Sequence, residues 1–164
     1  MIQFRSVLPV IIAFTGMLAC DTPLVGVDKN LNTGMVTSYK GFKPSRSVLV
    51  MNDEELNHTD IPIGEQFVII NEGISGLTVK DGKVSVGCAL TITDSAGKVL
   101  MNEADLFAGN NEYHKDSLKL LRCTVSTGEP MKWEEKYNVT VVFTDKFGKG
   151  SLENKVTIRA IDIP

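Results

Sequence analysis

Beyond Ser45 apolar side chains recur at every second position in run after run. Val84, Val86, Cys88, Leu90 and Ile92 alternate with a set that includes Ser85, Thr91 and Thr93, and Tyr137, Val139, Val141 and Phe143 alternate with Asn138 and Thr140. A period of 2 places every second side chain on one face of an extended chain, so both runs predict half-buried β-strands. Ser47–Met51 and Gln66–Ile70 are rich in β-branched residues, and the second is apolar on both faces, as a central strand is. Leu121, Cys123 and Val125 share one strand face, and Val156, Ile158 and Ala160 predict a closing strand near the C-terminus.

Turn chemistry separates these runs. Thr93-Asp94-Ser95-Ala96-Gly97-Lys98 and Thr144-Asp145-Lys146-Phe147-Gly148-Lys149 share the form Thr-Asp-x-x-Gly-Lys. There the Asp accepts backbone N–H bonds at the turn entry and the Gly supplies a positive φ. Asp81-Gly82 predicts a tight two-residue turn. Helix is limited to a turn or two at Asn102–Leu106 or Asp116–Leu120. Short strands at about ten-residue spacing, bounded by Gly and Asp, predict an all-β, immunoglobulin-like two-sheet sandwich over residues 45–164. Residues 20–44 mix Gly, Thr, Asn, Pro and Lys without a sustained period and read as a tether, the alternative being a first strand around Met35–Tyr39 paired onto the domain.

The stretch from Tyr137 to Ser151, Tyr-Asn-Val-Thr-Val-Val-Phe-Thr-Asp-Lys-Phe-Gly-Lys-Gly-Ser, resembles the last hairpin of fibronectin type III and related immunoglobulin-like domains. The resemblance covers about residues 130–160 and implies that Tyr137 forms a tyrosine corner. Two departures stand beside it. Trp133 lies where that family tends to have Pro, and the first half of the chain holds no Trp for the usual core position.

The N-terminus carries a different signal. Arg5 is the one charged residue among the first 19, and it precedes an apolar run, Val7–Leu18, that is shorter than the roughly 20 residues of a bilayer span. Met17-Leu18-Ala19-Cys20 resembles the bacterial lipobox, with Met in place of the usual Leu. The resemblance implies a signal peptide over residues 1–19, a diacylglyceryl group on the thiol of Cys20, and cleavage just before it. Asp21 resembles the inner-membrane retention signal of some bacteria, which leaves the choice of membrane open.

Composition narrows the chemistry. The chain has 17 Lys and Arg against 20 Asp and Glu, so with Arg5 removed the remainder carries a formal charge of minus 4. That balance offers no basic field for nucleic acid. His58 and His114 are the only imidazoles and sit in no metal-ligand spacing; no metal and no cofactor is expected. Ser75 lacks the Gly-x-Ser-x-Gly elbow of a hydrolase, and Asp94 and Asp145 each stand alone rather than in a calcium-binding run. Cys88 and Cys123 both lie on apolar phases, and the sequence leaves open a disulfide or two separate buried thiols. Trp133, in the polar stretch Pro130–Glu135, either caps the core or contacts a ligand, with Tyr113 as its companion in the second case.

These residues describe a non-enzymatic cell-envelope lipoprotein. The whole resembles the small lipoproteins of Gram-negative bacteria, which implies a lipid anchor in the membrane and another envelope protein as partner. The alternative is a glycan-binding module that uses Trp133 and Tyr113.

Overall fold

The computed structural model describes residues 24–109 and 111–162. The signal peptide and Cys20 therefore lie outside the described residues. Twelve strands follow one another: β1 (Val25–Lys29), β2 (Val36–Lys40), β3 (Arg46–Met51), β4 (Glu54–Glu55), β5 (Asp60–Pro62), β6 (Gln66–Glu72), β7 (Lys83–Asp94), β8 (Val99–Glu103), β9 (Glu112–His114), β10 (Leu120–Ser126), β11 (Lys136–Asp145) and β12 (Ser151–Ile161). They form two sheets. The larger runs β1-β2-β12-β11-β7-β8, with β5 added in parallel to β12 and β9 added to β7; the smaller runs β10-β6-β3-β4.

Alternation builds the core. In β11, Tyr137, Val139, Val141 and Phe143 are buried, and their cross-strand partners include Ile92, Leu90 and Cys88 of β7 and Ile158 and Val156 of β12. Leu49, Phe67, Ile69, Leu121, Cys123 and Val125 of the smaller sheet complete the same buried cluster. The all-β two-sheet sandwich predicted from the periodicity is the fold observed. Tyr137 also makes the contact expected at its position. Its hydroxyl accepts a hydrogen bond from the Lys132 N–H at 2.5 Å and so ties the β11 entry to the preceding loop.

Three local expectations are corrected. Residues 24–44 are not a tether. β1 and β2 make a hairpin, β2 pairs with β12 over five residues, and Met35 and Phe42 are core residues. The sandwich thus includes β1 and β2, and β2 covers the edge that β12 would otherwise present along Ser151–Lys155. The two proposed helical pieces are extended or turn: Val99–Glu103 is a strand, and Asp116–Ser117 lie in a turn before β10. Finally, Gly97 adopts the predicted positive φ of 83°, but Gly148 does not have one. Gly148 is needed for space instead. A Cβ there would stand 2.2 Å from Thr78 Oγ1 and 2.5 Å from Asp145 Oδ2, where the Asp145 carboxylate accepts bonds from the Phe147, Gly148 and Thr78 amides. Asp81-Gly82 forms the tight turn as predicted, with Lys80 and Lys83 exchanging both backbone bonds at 2.9 Å.

Polar groups also cross the core. Asn71 of β6 and Asn154 of β12 are fully buried and exchange amide hydrogen bonds of 2.9 and 3.0 Å between the sheets. Asn154 donates its second N–H to Thr37 Oγ1 at 2.9 Å, and the Ser47 hydroxyl donates to Asn71 Oδ1 at 2.6 Å. The pair therefore ties the N-terminal hairpin to both sheets.

A candidate binding groove between two sheet edges

The sandwich is open along one side. Among the described residues β10 bounds the smaller sheet and pairs only with β6, while β8 bounds the larger sheet and pairs only with β7. Along the β10 edge lie two adjoining hollows of about 420 and 490 Å³ that share Leu106 and Thr124, the first reaching across to β8 and the second to Tyr113 of β9. Leu90, Ile92, Leu100 and Met131 line the first, and Phe107, Leu118 and Leu121 line the second. The first lining is largely aliphatic, and the second mixes leucines with Phe107 and Tyr113.

Asp105 shapes this wall. β8 covers β7 only from Leu90 to Thr93, so the edge before it needs other partners for its backbone groups. Asp105 Oδ1 accepts bonds from the Cys88 and Phe107 amides, each at 3.0 Å, and the Leu106 N–H donates to the Cys88 carbonyl at 2.6 Å. The other carboxylate oxygen accepts from Lys146 Nζ at 2.5 Å. The Lys146 ammonium, with the Cys88 amide, holds the Asp105 carboxyl below the usual carboxylate range. Gly87 makes room for this ion pair, since a Cβ there would lie 2.8 Å from Thr144 Oγ1 and 2.9 Å from Lys146 Cε. The result is to seat Phe107 against Phe143, ring centroids 6.1 Å apart, and to leave Leu106 half in solvent between the hollows.

Cys88 and Cys123 come from opposite sheets and meet beneath this groove. Both are free and buried. The hydrogen bond with Cys123, together with burial, pushes the Cys88 thiol above its ordinary range, and the same bond lowers that of Cys123. The sequence placed both on core phases, and the structure brings them together.

The two candidate ligand aromatics part company. Tyr113 of β9 lines the second hollow. Trp133 is 63% exposed and does not cap the core; it stands on the β10–β11 loop, whose Gly128–Met131 segment walls the first hollow. His58 and His114 are exposed, and His114 Nδ1 lies 3.5 Å from Asp116. Among the described residues no three His, Cys, Asp or Glu side chains are placed to hold a metal ion. No helix of the described residues is long and apolar enough to cross a membrane.

Sequence reasoning missed the groove itself. Of its lining residues, Leu106 and Leu118 fall in the two stretches read as short helix, and Leu100 and Met101 in a stretch that the alternation did not assign. The sheet arrangement is similar to that in the crystal structure of the C-terminal domain of wzt, with a TM-score of 0.51 over 88% of this chain and 81% of that chain. Identity is 8%, so the likeness shows the fold alone. No family model and no curated protein matches the chain in sequence.

Proposed function

We propose that the protein is a non-enzymatic binding module of the bacterial cell envelope, anchored by lipid on Cys20, that takes an extended segment of another envelope protein into the groove beside β10. The observation that carries this reading is the pairing of an apolar groove with an open backbone edge. A strand edge offers unpaired N–H and C=O groups, which specify an extended polypeptide, while hollows on one side of it accept alternate apolar side chains.

A photocrosslinking side chain at Leu120, at the edge of the second hollow, tests this in cells, with the same group at exposed Val79 as control. Discrete protein adducts from position 120 that disappear in Leu106→Asp are expected. Adducts no stronger at 120 than at 79 contradict the reading.

One observation favours a second reading. Tyr113 lines the second hollow, and exposed Trp133 stands on the loop whose Gly128–Met131 segment walls the first, which suits a glycan chain stacking on aromatic faces. The largely aliphatic lining of the first hollow places this reading second. Saturable quenching of Trp133 fluorescence by envelope polysaccharide would raise it to first.

A further inference from the structure

A second cluster of exposed apolar side chains lies at the opposite border of the larger sheet. Leu24, Val25, Val27 and Leu31 are 39, 64, 67 and 89% exposed, four large apolar residues within eight positions. β1 is the terminal strand and pairs only with β2, so nothing among the described residues covers it. Register decides which face is apolar. Gly26 pairs with Tyr39, whose ring occupies the space a Cβ at Gly26 would need, and this sets Gly26 on the inner face. Val25, Val27 and Lys29 therefore share the outer face, where their β2 partners are Lys40, Ser38 and Val36. The β12 partners beyond these are Ser151, Glu153 and Lys155, and Glu153 and Lys155 neutralise each other through a 2.8 Å ion pair. Lys29 and Lys40 remain as the charge of this face. A chain that is acidic overall thus has, along this border, one face that is apolar and positively charged, with exposed Asp28 turned to the other face beside Thr37.

We infer that this β1 border rests on the surface of an anionic phospholipid bilayer. The inference rests on the lipid anchor proposed above and gives it a geometry. Only Asp21, Thr22 and Pro23 separate Cys20 from Leu24. Four residues span at most about 14 Å when fully extended, so an acyl group on Cys20 keeps Leu24 within that distance of the interface. With no 25-residue tether to hold the domain off, the border nearest the anchor meets the headgroups. Its composition fits: valine and leucine side chains enter the headgroup and acyl boundary, and lysines pair with anionic lipid phosphates. Docking there turns the β8–β10 groove away from the bilayer. The path from β1 to β8 crosses five strand spacings, about 24 Å at roughly 4.8 Å each, which leaves the groove open to a partner.

Single tryptophans placed in a Trp133→Phe background test the orientation. Leu31→Trp and Val99→Trp mark the two borders of the sheet, and each lipidated mature protein is reconstituted into phosphatidylethanolamine–phosphatidylglycerol vesicles containing brominated lipid. Intact mass verifies the acyl group, and circular dichroism verifies the fold. The expected result is quenching of the residue-31 fluorescence by at least about twofold, little change at residue 99, and loss of the residue-31 quenching when Lys29→Glu and Lys40→Glu are added. An acylated chain with no difference between the two positions overturns the docking alone. So does a residue-31 signal shielded but unquenched, which indicates pairing of β1 borders between two copies. An unacylated mass overturns the anchor, and the docking with it.

Discussion

Asn71 and Asn154, 83 residues apart, face each other across the core and exchange both amide hydrogen bonds. Each continues an apolar alternation, Phe67-Ile69-Asn71 in β6 and Leu152-Asn154-Val156 in β12, so each occupies a position where the pattern calls for an aliphatic side chain. Burying an amide is costly unless its partners are present. Here they are: no buried side-chain nitrogen or oxygen among the described residues lacks one. The pair fixes the relative register of the two sheets where Thr37 and Ser47 join it.

Asn154→Ala is expected to lower the unfolding free energy by about 2–4 kcal/mol, because Asn71 and Thr37 lose their partner in a site that excludes water. The double substitution Asn71→Ala with Asn154→Ala costs less than the sum of the two single ones, since the second removes a group the first has orphaned. Urea unfolding of the four proteins measures both. Additive losses contradict a coupled pair.

Acid stability follows from charged groups at the rim. Arg159 grips Asp60 with two bonds, of 2.6 and 2.9 Å, and its hydrogen bond holds the Asp60 carboxyl below its ordinary value of 3.8. Arg46 does the same to Glu72, and Lys146 to Asp105. A carboxyl whose folded pKa is depressed stabilises the fold above its unfolded pKa and loses that contribution as pH falls through the folded one. Stability is therefore expected to decline from about pH 4 downward, and Arg159→Ala is expected to decline less steeply there. Urea midpoints between pH 2.5 and 7 check the sign; a variant that declines more steeply than the parent contradicts it.

The two core thiols are expected to be silent in the folded protein. In a Cys20→Ser background, Cys88 and Cys123 react with a maleimide only when the fold opens, so labelling at neutral pH is slower than for an exposed thiol by at least about a hundredfold. Two groups add at once in urea without reductant. Rapid labelling of the native protein contradicts the packing seen beneath the groove.

How much of this was legible depended on where each strand hides its side chains. β7, β11 and β12 carry aliphatic residues on a buried face and were readable from alternation alone. β1 buries almost nothing: Gly26 lies under Tyr39, and Val25 and Val27 face outward, so no periodic core signal exists. β2 puts polar Thr37 on its core phase. That hairpin is held by backbone pairing to β12, which no side-chain pattern reports, and so it read first as a tether, with the strand now seen as β2 only as the alternative. The groove was hidden for a related reason. Its wall is set by Asp105 accepting from the backbone amide of Cys88 in a strand 17 residues upstream, a contact visible only once the chain is folded.

The central claim is that β10 receives an extended segment along its open edge. Hydrogen–deuterium exchange tests it most directly, comparing the protein in native envelope membranes with the purified protein. With a segment bound, amides within Leu120–Ser126 exchange at least about tenfold more slowly in the membranes, and the loop at Val79 is unchanged. Equal exchange across Leu120–Ser126 in the two preparations would contradict it.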